Sequence, residues 1–219
     1  MSWWAAALWQ ISPALLVSWV VWIIASIVLH ELGHGWAAIR RGDDTPIHTG
    51  HMTINPFVHM GPWSLLAFAL VGIAWGAMPV DPTRLKGRYA GAAVAAAGPA
   101  MNVGLAATCI VLGAVLERYL PGLGVPDGPM LNLRVFFLAG GSLNIALALF
   151  NLAPIPPLDG WRILSEFWRG YAVFMEGEVG RGVAFIGFAV LFFTAGDVLL
   201  GAAFGACRAG NAFVLGMLP

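Results

Sequence analysis

Five apolar runs divide this chain, at residues 13–39, 62–78, 89–116, 135–152 and 183–206. Most reach the roughly 20 residues that a helix needs to cross the hydrocarbon of a bilayer. Backbone in lipid must satisfy its own hydrogen bonds, and a helix does so within one segment. The expected fold is therefore an all-α, multi-pass membrane protein whose first partner is the lipid bilayer. Composition agrees, with 59% hydrophobic and 10% charged residues, against about 25% charged in a typical soluble domain. The formal net charge is zero, and nothing points to nucleic acid. Residues 1–10 lack the basic stretch and cleavage site of a signal peptide. Trp3, Trp4 and Trp9 read instead as interfacial anchors. With no internal repeat and no loop long enough for a second unit, residues 1–219 are expected to form one integral-membrane domain.

The run at 62–78 is the shortest; it holds Gly72 and Gly76 and is flanked by Pro62 and Pro79. It either crosses or dips in and returns. Cytoplasmic loops are enriched in Lys and Arg, which separates the two courses. If it re-enters, Arg40, Arg41, Arg84, Lys86, Arg88, Arg162, Arg169 and Arg181 share one side, against Arg118, Arg134 and Arg208 on the other. If it crosses, the split falls to six against five. The re-entrant course gives the stronger asymmetry. It implies about four full transmembrane helices, with both termini on the side opposite Arg41. In the loop after the first span, Thr49 to Pro56 alternates in a way that predicts a short strand or small interfacial hairpin.

The first run carries what a membrane helix normally excludes: His30, Glu31 and His34. A strongly polar group at mid-helix costs about 2.5–3.5 kcal/mol on insertion scales. On a helix His30 and His34, at i and i+4, share a face and can bind one metal ion, with Glu31 close beside them. A catalytic zinc ordinarily takes three protein ligands and keeps a fourth position open. Asp159 is the best third candidate. It follows Pro154, Pro156 and Pro157, which cannot continue a helix. Irregular backbone at membrane depth is tolerated only where it is buried in protein or lines a wet cavity. The alternative for Asp159 is an N-cap on the helix beginning near Trp161. Cys109 and Cys207 form neither a disulfide framework nor a metal-binding spacing.

Taken together, His30-Glu31-Leu32-Gly33-His34 and the segment from Asn151 to Gly160 resemble the site-2 protease family of intramembrane zinc metalloproteases. Thr53 to Pro62, Trp75 to Val80 and Ala97 to Asn102 are similar to its short bacterial and archaeal branch, which lacks PDZ and CBS modules. Relatives often carry an aspartate where this chain has Gly61. The resemblance implies one Zn²⁺ per chain held by His30, His34 and Asp159, with Glu31 as general base and acid in peptide hydrolysis. It also implies a transmembrane protein substrate, a prokaryotic cell membrane and an active site nearer the cytoplasmic face. Asn151 looks like the family's asparagine that holds substrate backbone or oxyanion. His59 and Asn102 are further substrate-binding candidates, with a loop histidine and a structural hydrogen bond as their plain alternatives. A helical substrate must unwind before hydrolysis, and an edge around residues 51–55 could receive it by β-addition. The rival classes are a membrane metal-ion transporter or sensor and a proteolytically inactive relative. Oligomeric state and the identity of the substrate are not legible.

Overall fold

The computed structural model describes residues 3–194 and 196–219. The regular elements among them are helices: α1 (Trp4–Ile11), α2 (Pro13–Arg40), α3 (Thr45–His48), α4 (Pro56–Val71), α5 (Ala90–Tyr119), α6 (Asp127–Asn151), α7 (Asp159–Phe167), α8 (Arg169–Glu176), α9 (Glu178–Thr194) and α10 (Gly196–Met217). Among the described residues α2, α5, α6 and α10 are long and apolar enough to cross a membrane. The chain is an integral membrane protein.

α2 starts with Pro13 at its first position, where a missing N–H costs nothing, and ends on Arg40, whose charge suits a helix C-terminus. At 28 residues it is about 42 Å long. α2, α5 and α6 form the central bundle. Small residues set their spacing, as in other membrane helices. A Cβ on Gly33 would lie 2.8 Å from the Ala97 carbonyl oxygen, so α2 and α5 meet backbone to backbone. Gly140 of α6 leaves room for the Trp22 ring, whose Nε1 donates to the Phe136 carbonyl at 2.9 Å. α10 covers the outer side of α5 and α6, with Cys207 seated over Gly141.

The run at 62–78 goes out and comes back. α4 bends at Gly61, whose φ of 65° and ψ of 172° are accessible essentially to glycine alone. The helix ends on Gly72 in the left-handed conformation. Its last carbonyls are capped from the start of the chain: Trp3 Nε1 donates to Leu70 O at 3.1 Å and Trp4 Nε1 to Ala69 O at 3.3 Å. The N-terminal tryptophans thus close the tip of the excursion. From Ile73 the chain returns extended beside α4. Ser64 Oγ bonds both the N–H and the carbonyl of Trp75, at 2.8 and 2.7 Å, and Ala77 N–H donates to His59 O at 3.0 Å. The return ends where the excursion began, with Lys86 N–H donating to Arg41 O at 2.7 Å and Arg84 paired with Asp44. Re-entry, rather than crossing, is the observed course.

One expectation is corrected. The hairpin at 49–56 is absent, and no strand occurs among the described residues. Side chains there claim the backbone first: Asn55 N–H donates to Thr53 Oγ1 at 3.2 Å, and Phe57 N–H to Asn55 Oδ1 at 3.0 Å, an N-cap for α4. The run expected at 183–206 corresponds to the end of α9 and the start of α10, with residue 195 outside the described residues. α8 and α9 are bent by 88° to one another.

Candidate active site

α2 brings His30, Glu31 and His34 to the centre of the bundle, each 8% exposed. The two Nε2 atoms converge at 3.0 Å. The remaining donor arrives at the start of α7. After α6 ends at Asn151, the proline-rich turn carries the chain back across the α2 face. Gly160 permits this, because a Cβ there would collide with the Leu152 and Ala153 carbonyls. Asp159 Oδ2 lies 3.1 Å from His30 Nε2, and Oδ1 lies 3.3 Å from His34 Nε2. The α7 N-cap is Leu158, with no side-chain capping bond. The capping alternative for Asp159 is therefore set aside.

The three donor atoms lie within 4.8 Å of one another. Tetrahedral ligands with bonds of about 2.0–2.1 Å are separated by about 3.3 Å, and the spacings here are 3.0, 3.1 and 3.3 Å. His34 Nδ1 lies 2.8 Å from the Val94 carbonyl, which can only accept. The proton is then on Nδ1, and Nε2 turns a lone pair inward. Asp159 Oδ2 is buried without a hydrogen-bond donor of its own. A Cβ on Gly98 would lie 2.5 Å from His30 Nε2 and closer still to His34 Nε2, so this bare Cα keeps the space before the donors open. The donor set, its spacing and the room around it fit zinc.

A cleft of about 1350 Å³ opens onto this cluster. Glu31 lines it beside the histidines, and Gly76 of the returning segment packs directly on the Glu31 carboxyl. The segment at 73–78 has two unlike edges. Trp75 and Ala77 turn backbone groups toward α4. The N–H groups of Ala74, Gly76 and Met78, all in the cleft wall, make no hydrogen bond among the described residues.

The other expected site residues separate. Asn151 lines the cleft, and its Nδ2 donates back to Leu147 O at 3.0 Å. Asn102 is wholly buried behind His30, with Oδ1 2.5 Å from His30 Nδ1 and Nδ2 2.9 Å from Asn144 Oδ1. Its amide is occupied within the protein. His59 is 3% exposed and lies outside the cleft wall; its Nε2 is 2.7 Å from Thr53 O. Gly98, Asn144 and the free edge at 73–78 were missed. The edge had a visible signal in Gly72, Gly76 and Pro79, which break helix. Gly98 and Asn144 are isolated residues within helical runs, and only the packing reveals them.

Comparison with known proteins agrees with this geometry. The family model described as Peptidase family M50 matches residues 18–194. YwhC of Bacillus subtilis is 35% identical over 178 residues, 80% of each chain. Rip2 of Mycolicibacterium smegmatis is 32% identical over 150 residues, 66% of this chain and 54% of that protein. Sll0528 of Synechocystis is 28% identical over 174 residues, 77% of this chain but 37% of its own. This chain thus spans most of YwhC, about half of Rip2 and little more than a third of sll0528. Each of the three bears the name "Putative zinc metalloprotease". No solved structure matches the chain. With a matched region running from before His30 to beyond Asp159, and a buried His-His-Asp cluster that suits the metal, the chain belongs to the M50 family of zinc metallopeptidases.

Proposed function

We propose that this protein is an intramembrane endopeptidase that hydrolyses peptide bonds within or near transmembrane segments of other membrane proteins. What carries the reading is the meeting of His30, His34 and Asp159 with Glu31 in one cleft between membrane helices. His30, His34 and Asp159 hold one zinc per chain. When bound, zinc supplies a Lewis acid that activates water and polarises the scissile carbonyl. Glu31 is the general base: its carboxylate takes the proton of the attacking water and passes it to the leaving amine. Gly76, packed on the Glu31 carboxyl, keeps that side chain from turning away from the cleft.

The substrate must be extended where it is cut, since a helix hides its carbonyls. The free N–H groups of Ala74, Gly76 and Met78 give it a backbone to pair with by β-addition. That edge takes the place of the one expected around residues 51–55. Asn151 keeps one amide hydrogen and its carbonyl oxygen for the substrate backbone. His59 contributes from outside the cleft, its carbonyl bracing Ala77. The active site lies toward the cytoplasmic face, the side that the clustered Arg and Lys residues favour.

The test is Glu31→Gln, reconstituted in vesicles with a transmembrane model substrate. Glutamine nearly preserves shape and leaves the three metal donors untouched, so zinc should stay. Cleavage should fall by about 10²–10⁴, the usual value of general acid–base assistance. A Glu31→Gln protein cutting at close to the wild-type rate would remove Glu31 as the base.

A further inference from the structure

Behind His30 runs a line of buried amides whose polarity has a definite origin. Asn144 Nδ2 lies 2.9 Å from the Gly140 carbonyl oxygen, one turn back on α6. A backbone carbonyl can only accept, so Asn144 must present its NH₂ there and its Oδ1 on the other side. That oxygen lies 2.9 Å from Asn102 Nδ2 of α5, which donates. Asn102 therefore turns Oδ1 toward His30 Nδ1, 2.5 Å away. An amide oxygen next to Nδ1 requires the ring proton on Nδ1, and Nε2 is left bare to face His34 Nε2 and Asp159. Asn102 and Asn144 are both fully buried, so no water competes for these bonds.

We propose that Asn144 is a positioning residue for the metal centre: through Asn102 it sets the tautomer of His30 and so its ability to ligate zinc. This rests on His30 being a zinc ligand. The two histidines are oriented by different means. His34 is held directly by the Val94 carbonyl, which has one possible polarity. His30 is held by an amide, which presents either oxygen or nitrogen depending on which way it is turned. Left alone, Asn102 could offer NH₂ to Nδ1, and the ring proton would move to Nε2, where it blocks the metal. Asn144 removes that freedom by carrying the fixed polarity of an α6 carbonyl across to α2. Three helices thereby agree on the state of one ring.

The experiment is zinc affinity of the purified full chain, measured by competition with a chelating indicator. Asn144→Leu keeps the volume of the side chain and discards its polarity. It should weaken zinc binding by about 10–100-fold, the usual effect of losing an outer-sphere partner of a metal ligand. In an Asn102→Asp background His30 meets a carboxylate, which presents an acceptor whichever way it turns. There the Asn144→Leu change should shift zinc affinity by less than a factor of about 3. An equal loss in both backgrounds would reduce Asn144 to a packing residue and overturn the proposal, as would wild-type affinity in Asn144→Leu. His30→Ala is the control: if it binds zinc like the wild type, the metal reading itself fails, independently of the relay. If Asn144→Leu does not fold, the wild type decides the matter. Nitrogen-15 spectra of zinc-free protein above about pH 8, where free imidazole is neutral, should report the His30 proton on Nδ1. A proton found on Nε2 overturns the proposal.

Discussion

At the scale of single residues, the metal site depends as much on what is absent as on what is present. Gly98 stands inside α5, where alanine would favour the helix by about 1 kcal/mol. Propensity alone would therefore make Gly98→Ala a stabilising change. The added Cβ, however, would sit against both imidazole Nε2 atoms. Gly98→Ala should keep its helical circular dichroism and lose most of its zinc, from about one ion per chain toward none. Full occupancy measured by elemental analysis would mean the ion is held elsewhere. That His30, His34 and Asp159 could share one metal ion was legible beforehand, because ionisable groups are costly in an apolar run and three prolines cannot be helix. Gly98 was not, since a glycine among alanines looks like ordinary close packing until the facing atoms are known. Asn144 was hidden for a related reason: its partner Asn102 is 42 residues away, on a different helix.

At the scale of elements, hydropathy located segments better than it located their ends. The runs at 13–39 and 89–116 correspond to α2 and α5, and the re-entrant course followed from counting charges. The run at 135–152 corresponds to α6, whose first turns from Asp127 to Arg134 hold Asp, Gly, Asn and Arg and so fall below the apolar average. Alternation at 49–56 suggested a strand, yet Thr53 and Asn55 spend their oxygens on nearby backbone N–H groups. The loop between α2 and α3 is organised instead by Asp43, which is fully buried. Its carboxylate accepts from Thr45 N–H at 3.0 Å, Thr45 Oγ1 at 2.5 Å and Asp81 N–H at 2.8 Å. Desolvation pushes the Asp43 pKa up, but the bonds from Thr45 and Asp81 outweigh it and the net shift is downward. A carboxyl more acidic when folded than when unfolded stabilises the fold above its unfolded value. That contribution disappears as the pH drops through the folded value. Amide exchange at Thr45 and Asp81 should therefore lose protection between about pH 4 and lower values. Asp43→Asn should lack this pH dependence; a wild-type profile in that variant would mean Asp43 does not hold the loop.

At the scale of the whole molecule, the side on which each loop lies can be tested directly. The bond from Lys86 N–H to Arg41 O brings residues 41 and 86 together. In sealed vesicles Arg41→Cys and Lys86→Cys should react with an impermeant thiol reagent from the same face. The native Cys109 and Cys207 are buried and should stay silent. Labelling of the two positions from opposite faces would contradict the observed course of residues 62–78. That same bond has a consequence for how such a protein can vary. It joins the two ends of the 42–85 excursion whatever lies between them, and doubling the length of a closed loop costs only about 0.6 kcal/mol. The excursion can therefore lengthen or shorten at small cost, provided Gly61, Ser64 and Gly72 keep its course and a bare Cα remains opposite Glu31. His30, His34 and Asp159 all lie outside it. The part of the chain proposed to meet the substrate and the part proposed to hold the metal are thus separable in inheritance, and the first can diversify without putting the second at risk.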